Sequence, residues 1–178
     1  MSLTVLIGGA RSGKSELAVR LAERQPAPVV LLATAQARDA DMALRIAEHR
    51  RRRPPAWRTV EEPLALGAAI GSVGDDDCLV LDCLTLWTAN ALEVLGASTA
   101  EAQAAAAATL AAARSGPTIA VTNEVGLGLV PDNLLGRGYR DLLGRVNAIW
   151  AEVADDVLLL VAGRVLPLAR PESIGTLP

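Results

Sequence analysis

The chain has 178 residues, 51% hydrophobic and 21% charged, with a net charge of −3 and a sequence pI near 5.2. That is the composition of one globular domain with a substantial core, and it excludes an intrinsically disordered chain. The acidic balance argues against a general nucleic-acid binder, and no stretch reaches the roughly 20 continuous apolar residues of a membrane span.

The N-terminal MSLTVLIGG has no basic segment ahead of its apolar run, so no signal peptide is expected. LTVLI, 3–7, reads as a short buried strand, followed by a glycine turn and a helix over 14–24. VVLLA (29–33), CLVLDC (78–83), TIAVT (118–122) and VLLLVAG (157–163) are four more apolar, β-branched runs bounded by turn residues. Such runs suit parallel strands covered on both faces. Helical patterns alternate with them over 39–51, 84–95, 99–114 and 134–154, the third mostly alanine. VLPL, 165–168, is a candidate antiparallel edge strand. The alternation predicts an α/β fold, a mostly parallel sheet flanked by helices. One domain is expected over 1–168, with a mobile tail over 169–178. With 2% aromatics and no Phe, the core must be built from Leu, Val, Ile and Ala. Trp57, Trp87 and Trp150 read as packing anchors. Cys78 and Cys83 are an odd number of residues apart, which on a strand sets them on opposite faces. Reduced, buried thiols in a cytoplasmic protein are the expectation.

GGARSGKS, Gly8 to Ser15, fits GxxxxGK[ST] between a predicted strand and a predicted helix, the context this motif requires. Its glycines let successive backbone N–H groups of Gly8, Gly9, Ala10, Arg11, Ser12 and Gly13 face phosphate oxygens at a helix N-terminus. Lys14 supplies a compact charge to the β and γ phosphates, and the Ser15 hydroxyl can ligate Mg²⁺. Of the 17 basic residues Lys14 is the single lysine, and a guanidinium fork does not replace an ammonium in so cramped a nest. The loop marks a nucleoside triphosphate site. A companion carboxylate is expected at the end of a neighbouring strand to hold the magnesium. Asp82, closing LVLD, fits, although an aspartate there can also simply cap a turn.

AEHRRRRPPAW, 47–57, places the chain's one histidine before Arg50, Arg51, Arg52 and Arg53. Met42, Ile46 and His49 share a helical face at i, i+4 and i+7. A solvated helix end explains the run equally well by composition alone. Beside a triphosphate, however, a histidine can be a nucleophile toward phosphorus. The arginines would disfavour its protonated form and stabilise charge on the attacked phosphate. Both readings stand on the residues alone. TNEVG follows a strand, so Asn123 and Glu124 should emerge at the sheet's C-terminal edge, where α/β ligands bind, or else cap the turn. Arg137, Arg140 and Arg145 on the last long helix read as solvent or subunit contacts.

GGARSGKS, LLATAQARDADMALRIAEHRRRRPPAWRTVEEP, LVLDCLTLWTANAL and the stretch from TNEVGLGLVP to VLLLVAG resemble the bifunctional adenosylcobinamide kinase / adenosylcobinamide-phosphate guanylyltransferase family. The similarity runs from residue 3 to about residue 163. The resemblance implies a RecA-like P-loop fold and a homotrimer. It also implies two reactions in cobalamin assembly. The first is phosphorylation of adenosylcobinamide from ATP or GTP. The second transfers GMP from GTP to the phosphorylated product through a guanylyl-histidine. By position, His49 is that histidine. Gly8 to Ser15 bind the triphosphate, and Ala33, Thr34, Ala35, Arg50 to Arg53, Glu61 and Asp82 are further nucleotide-contacting positions. Two departures are visible: Glu48 stands where some relatives carry a second histidine, and the segment after His49 is all arginine. The rival readings are a plain small-molecule kinase with a structural His49, and a nucleotide-dependent regulatory switch. A covalent histidine separates the family reading from both.

Overall fold

The computed structural model describes residues 3–170, apart from the Arg52 side chain; the expected tail beyond residue 170 lies outside the described residues. In chain order the elements are β1 (Leu3–Gly8), α1 (Lys14–Ala22), β2 (Val29–Ala33), α2 (Ala40–Arg52), β3 (Arg58–Glu61), α3 (Leu66–Gly71) and β4 (Cys78–Asp82). They continue with α4 (Leu84–Leu95), α5 (Ala97–Ala113), β5 (Thr118–Val121), α6 (Leu134–Val153), β6 (Asp156–Val161) and β7 (Arg164–Pro167). The strands form one seven-stranded sheet in the order β3-β2-β4-β5-β1-β6-β7. Every neighbouring pair is parallel except β6 with β7, the expected antiparallel edge. The β6–β7 hairpin turns on Ala162 (φ 49°) and Gly163 (φ 73°), the pair of positive φ values that a tight turn matched to strand twist requires.

The period of two along each strand divides the core. Leu3, Val5, Val30, Leu32, Leu79, Leu81 and Ala120 face one side, where α3, α4, α5 and α6 bury Ile70, Trp87, Leu142, Val146 and Trp150. Alanine is the packing residue of α5: Ala100, Ala104, Ala107, Ala108 and Ala111 are all buried, which lets that helix approach its neighbours closely. Leu6, Leu31, Val80, Ile119, Val121 and Leu160 face the other side, which α1 covers with Ala18 and Ala22. This second face is the thinner one, and the site opens there.

Two expectations change. Cys78 and Cys83 join the same apolar cluster, because the strand ends at Asp82 and Cys83 already caps α4, so alternation does not carry through it. Burial pushes the two thiols up to about 11 and about 12 respectively, and neither is in a disulfide. The thiolate is the reactive form. Iodoacetamide should therefore add nothing to the native protein and two groups to the denatured one, read by intact mass. Second, β4 does not neighbour β1: β5 lies between the glycine-loop strand and the strand carrying Asp82.

Candidate active site

The glycine loop leaves β1 at Gly8, and its two motif glycines have separate physical reasons. A Cβ on Gly8 would sit 2.3 Å from the backbone oxygen of Leu160 on the adjacent strand. Gly13, at φ 100°, caps α1 in a backbone conformation that side chains resist. Gly9, Ala10 and Arg11 are exposed, whereas Ser12 and Lys14 are buried. The Lys14 ammonium donates to the carbonyls of Gly8 (2.9 Å) and Gly9 (2.7 Å) and to Ser12 Oγ (3.3 Å), so it closes its own loop. Burial holds its pKa below the ordinary lysine value, opposed by Cys83 and Asp82. The loop is braced from two directions that the sequence did not reveal. The Gly163 amide of the β6–β7 hairpin donates to Ser12 O at 3.1 Å, and the Glu124 amide donates to Gly8 O at 3.1 Å.

The residues after β5 are held as firmly. Asn123 N donates to Thr85 Oγ1 (2.7 Å), Asn147 Nδ2 donates to Asn123 O (3.0 Å), and Thr122 Oγ1 donates to Asn147 Oδ1 (2.6 Å). Asn123 and Glu124 therefore emerge at the C-terminal edge of the sheet against the glycine loop, as expected. The Glu124 carboxylate accepts from the Gly126 amide.

Three strand ends make a row on the far side of β5 from that loop's strand. The register sets Ala33 between Asp82 on β4 and Glu61 on β3. Thr34 contributes structure rather than a free side chain. Its hydroxyl donates to Cys83 O (2.7 Å) and accepts from Cys83 N (3.0 Å), its amide donates to Asp82 O (3.2 Å), and Asn90 Nδ2 caps its own carbonyl (2.9 Å). Ala35 is half-buried just beyond it.

α2 supplies the outer wall. Asp39 caps its N-terminus by accepting from Met42 N at 2.7 Å. Its C-terminus ends at Arg53, which turns extended (ψ 138°) because Pro54 follows and disfavours helix at the preceding residue. Met42, Ile46 and Glu48 are half-buried on this helix and its other described side chains are exposed, so it packs lightly on the body. The arginines disperse. Arg50 pairs with Glu61, Arg51 pairs with Glu48, and Arg53 turns inward. Arg53's pKa is lowered by burial, with Asp82 opposing that shift.

His49 reaches a cavity beside the start of α1, to which the glycine motif contributes Ser15. This cavity of about 370 Å³ is lined by Ser15, Glu16, Leu31, His49, Arg53, Trp57, Val80, Asp82 and Val121 among others. Within it, His49 Nδ1 lies 3.8 Å from Asp82 Oδ2. Burial raises the Asp82 pKa, and the opposing charges of His49, Arg53 and Lys14 pull it back. All three tryptophans pack as expected: Trp87 and Trp150 are wholly buried, and Trp57 packs half-buried against the second core cluster while also lining the cavity. With Arg53 it also borders a second, more open cleft of about 250 Å³ that contains Arg50, Thr59 and Glu61. Of the other arginines, Arg137 donates to Pro131 O (2.9 Å), Arg140 pairs with Asp141 (2.9 Å) and Arg145 with Glu101 (2.7 Å), all away from the cavity.

Ser15 and Asp82 are hard oxygen donors lining the same cavity, and no cluster of three or more His, Cys, Asp or Glu able to hold a metal exists among the described residues. That donor set fits Mg²⁺, which keeps water and phosphate oxygens and takes only one or two protein ligands. It does not fit a metal needing a full protein cage.

The chain aligns with a type III secretion system ATPase at a TM-score of 0.58 and 13% identity, over 98% of this chain and 60% of that one. That likeness carries the P-loop ATPase fold alone, consistent with the RecA-like expectation. Among sequence relatives, the chain is 46% identical to the bifunctional adenosylcobalamin biosynthesis protein CobP of Pseudomonas aeruginosa, over 92% of this chain and 95% of that protein. It is 39% identical to the bifunctional adenosylcobalamin biosynthesis protein CobU of Salmonella typhimurium, over 90% and 96% respectively. The family model described as cobinamide kinase / cobinamide phosphate guanyltransferase matches residues 4–168, and the chain belongs to that family.

Proposed function

We propose that this enzyme of cobalamin biosynthesis carries out both family reactions at one nucleotide cavity. It would phosphorylate adenosylcobinamide from ATP or GTP. It would then transfer GMP from GTP to the resulting phosphate by way of His49. The observation that carries the reading is that His49, Ser15 and Asp82 line one cavity, although His49 belongs to a helix remote in sequence from the other two.

In this reading the backbone of Gly8 to Gly13 cradles the β and γ phosphates, and Lys14 leaves the carbonyls of Gly8 and Gly9 to meet them. Ser15 and Asp82 would hold Mg²⁺, which when bound neutralises phosphate charge and that of the departing pyrophosphate. Arg53 faces the same cavity and offers a planar fork to phosphate oxygens. Arg50 and Glu61, paired across the second cleft, are the remaining polar groups proposed to contact the nucleotide there. Thr34 acts through its four hydrogen bonds, which fix the backbone that carries Asp82.

A homotrimer is part of this proposal. It is supported by apolar side chains left uncovered on the single chain: Leu44 on α2, and Leu127, Leu129, Leu134 and Leu135 between β5 and the start of α6. A cytoplasmic location is supported by the two free thiols. No helix among the described residues is long and apolar enough to cross a membrane.

The test is direct. Protein incubated with GTP and Mg²⁺ should gain the mass of one GMP, through a bond labile in acid and stable in base. A protein that demonstrably binds GTP and gains no mass would leave the plain kinase as the better reading.

A further inference from the structure

We infer that Asp82 is the positioning residue of the guanylyl-transfer step, holding the N–H of His49 at Nδ1 so that Nε2 carries the attacking lone pair. This rests on the guanylyl-histidine reading and extends it to a second residue and to a named ring atom. The geometry is the 3.8 Å approach of His49 Nδ1 to Asp82 Oδ2, which a movement of about 1 Å would close into a hydrogen bond. The two partners are mounted very differently. Asp82 ends a buried strand, and its backbone is clamped by Thr34, whose amide donates to Asp82 O and whose hydroxyl brackets Cys83. His49 rides on the lightly packed α2 and its side chain is half exposed. The carboxylate is thus the fixed reference, and the ring is what must be seated. Nearby acids have other partners, Glu61 with Arg50 and Glu48 with Arg51. A carboxylate has two oxygens and about four acceptor sites, so engaging Oδ2 with the ring leaves Oδ1 for a metal.

The chemistry requires such a partner. A neutral imidazole has one N–H and one lone pair, and in water it prefers the N–H at Nε2, which would point the lone pair at the wrong atom. An acceptor at Nδ1 reverses that preference. The Nε2 lone pair then attacks the α-phosphorus of GTP and the Nε2–P bond forms. The bond from that phosphorus to the α–β bridging oxygen breaks, and pyrophosphate leaves with the electron pair. The ring keeps its Nδ1 proton and becomes cationic, which the Asp82 carboxylate compensates. In the return step a phosphate oxygen of the acceptor attacks the same phosphorus, the N–P bond breaks, and the ring is neutral again. No proton has to leave Nδ1 in either step.

The chain's one histidine makes the test unambiguous. Tag-free protein labelled with ¹⁵N-histidine, free of nucleotide and magnesium and with the imidazole neutral, is examined by long-range ¹H–¹⁵N correlation NMR. The wild type should carry its proton on Nδ1, and Asp82→Asn should shift it to Nε2. A wild-type ring protonated on Nε2, or one unchanged in a folded Asp82→Asn, overturns the inference. Should Asp82→Asn fail to fold, the wild type still decides the matter, because its GMP adduct should be bonded to Nε2 and an adduct on Nδ1 overturns the proposal. Absence of any adduct would count against the guanylyl-histidine reading instead, and the free-ring spectrum would still report whether Asp82 holds Nδ1.

Discussion

His49→Ala should abolish guanylylation and leave phosphorylation of cobinamide within a few-fold of wild type. Removing the nucleophile of a covalent mechanism costs on the order of 10⁶ in rate, and here the GMP adduct itself should disappear from the intact mass. Phosphoryl transfer is different in kind, since it depends on positioning and charge rather than on a covalent protein intermediate. The parts that supply these, the Gly8–Gly13 backbone, Lys14 and Ser15, lie at the start of α1 and do not depend on α2. The fold should be spared too, because His49 is exposed near the end of a lightly packed helix and alanine is the best helix former. The measurement is a pair of assays on one preparation: phosphate transfer to adenosylcobinamide, and GMP transfer to its phosphate. Equal loss of both in a folded variant would show that His49 serves the nucleotide site as a whole and would sink the division of labour.

Much of this architecture is legible in the sequence where burial is continuous. VVLLA is a strand over the predicted residues, α4 spans the predicted 84–95, and the other core elements end within a few residues of expectation. The two elements missed are those with the weakest patterns. β3 is a four-residue edge strand, RTVE, with little burial, and α3 is a six-residue LGAAIG whose glycines read as turn. The glycine loop is local, so its spacing is visible. The order of strands is not, and so β5 was not expected between β1 and β4. The approach of His49 to Asp82 depends on that order and on where α2 ends, and Trp57 lines the cavity only because the chain turns back after Pro54 and Pro55. The arginine run illustrates the same limit. Four identical neighbours look like one positive patch, but the helix sends Arg50 to Glu61 and Arg51 to Glu48, and the extended backbone at its end turns Arg53 into the cavity.

Lys14→Ala should lower both activities together, by roughly 10²–10³-fold each, the scale lost when one preorganised donor to a developing charge is removed. The argument starts from the unliganded loop. The ammonium is buried, bonded to Gly8 O, Gly9 O and Ser12 Oγ, and burial already disfavours its charge. A triphosphate offers stronger, anionic acceptors than those carbonyls, so exchanging one set for the other favours binding. In the single-cavity proposal both reactions begin with a triphosphate in this loop, so neither would bypass the loss. In this the variant differs from His49→Ala, which separates the two. Lys14→Arg should fail almost as badly, because the planar guanidinium is larger than an ammonium and the nest is closed by Gly8 against Leu160 and by Gly163 against Ser12. Isothermal titration with GTP, alongside the two activity assays, would check this. If the lysine variant lost guanylyl transfer but kept phosphorylation, the two reactions would have to use different triphosphate seats. The single-cavity mechanism would then be wrong.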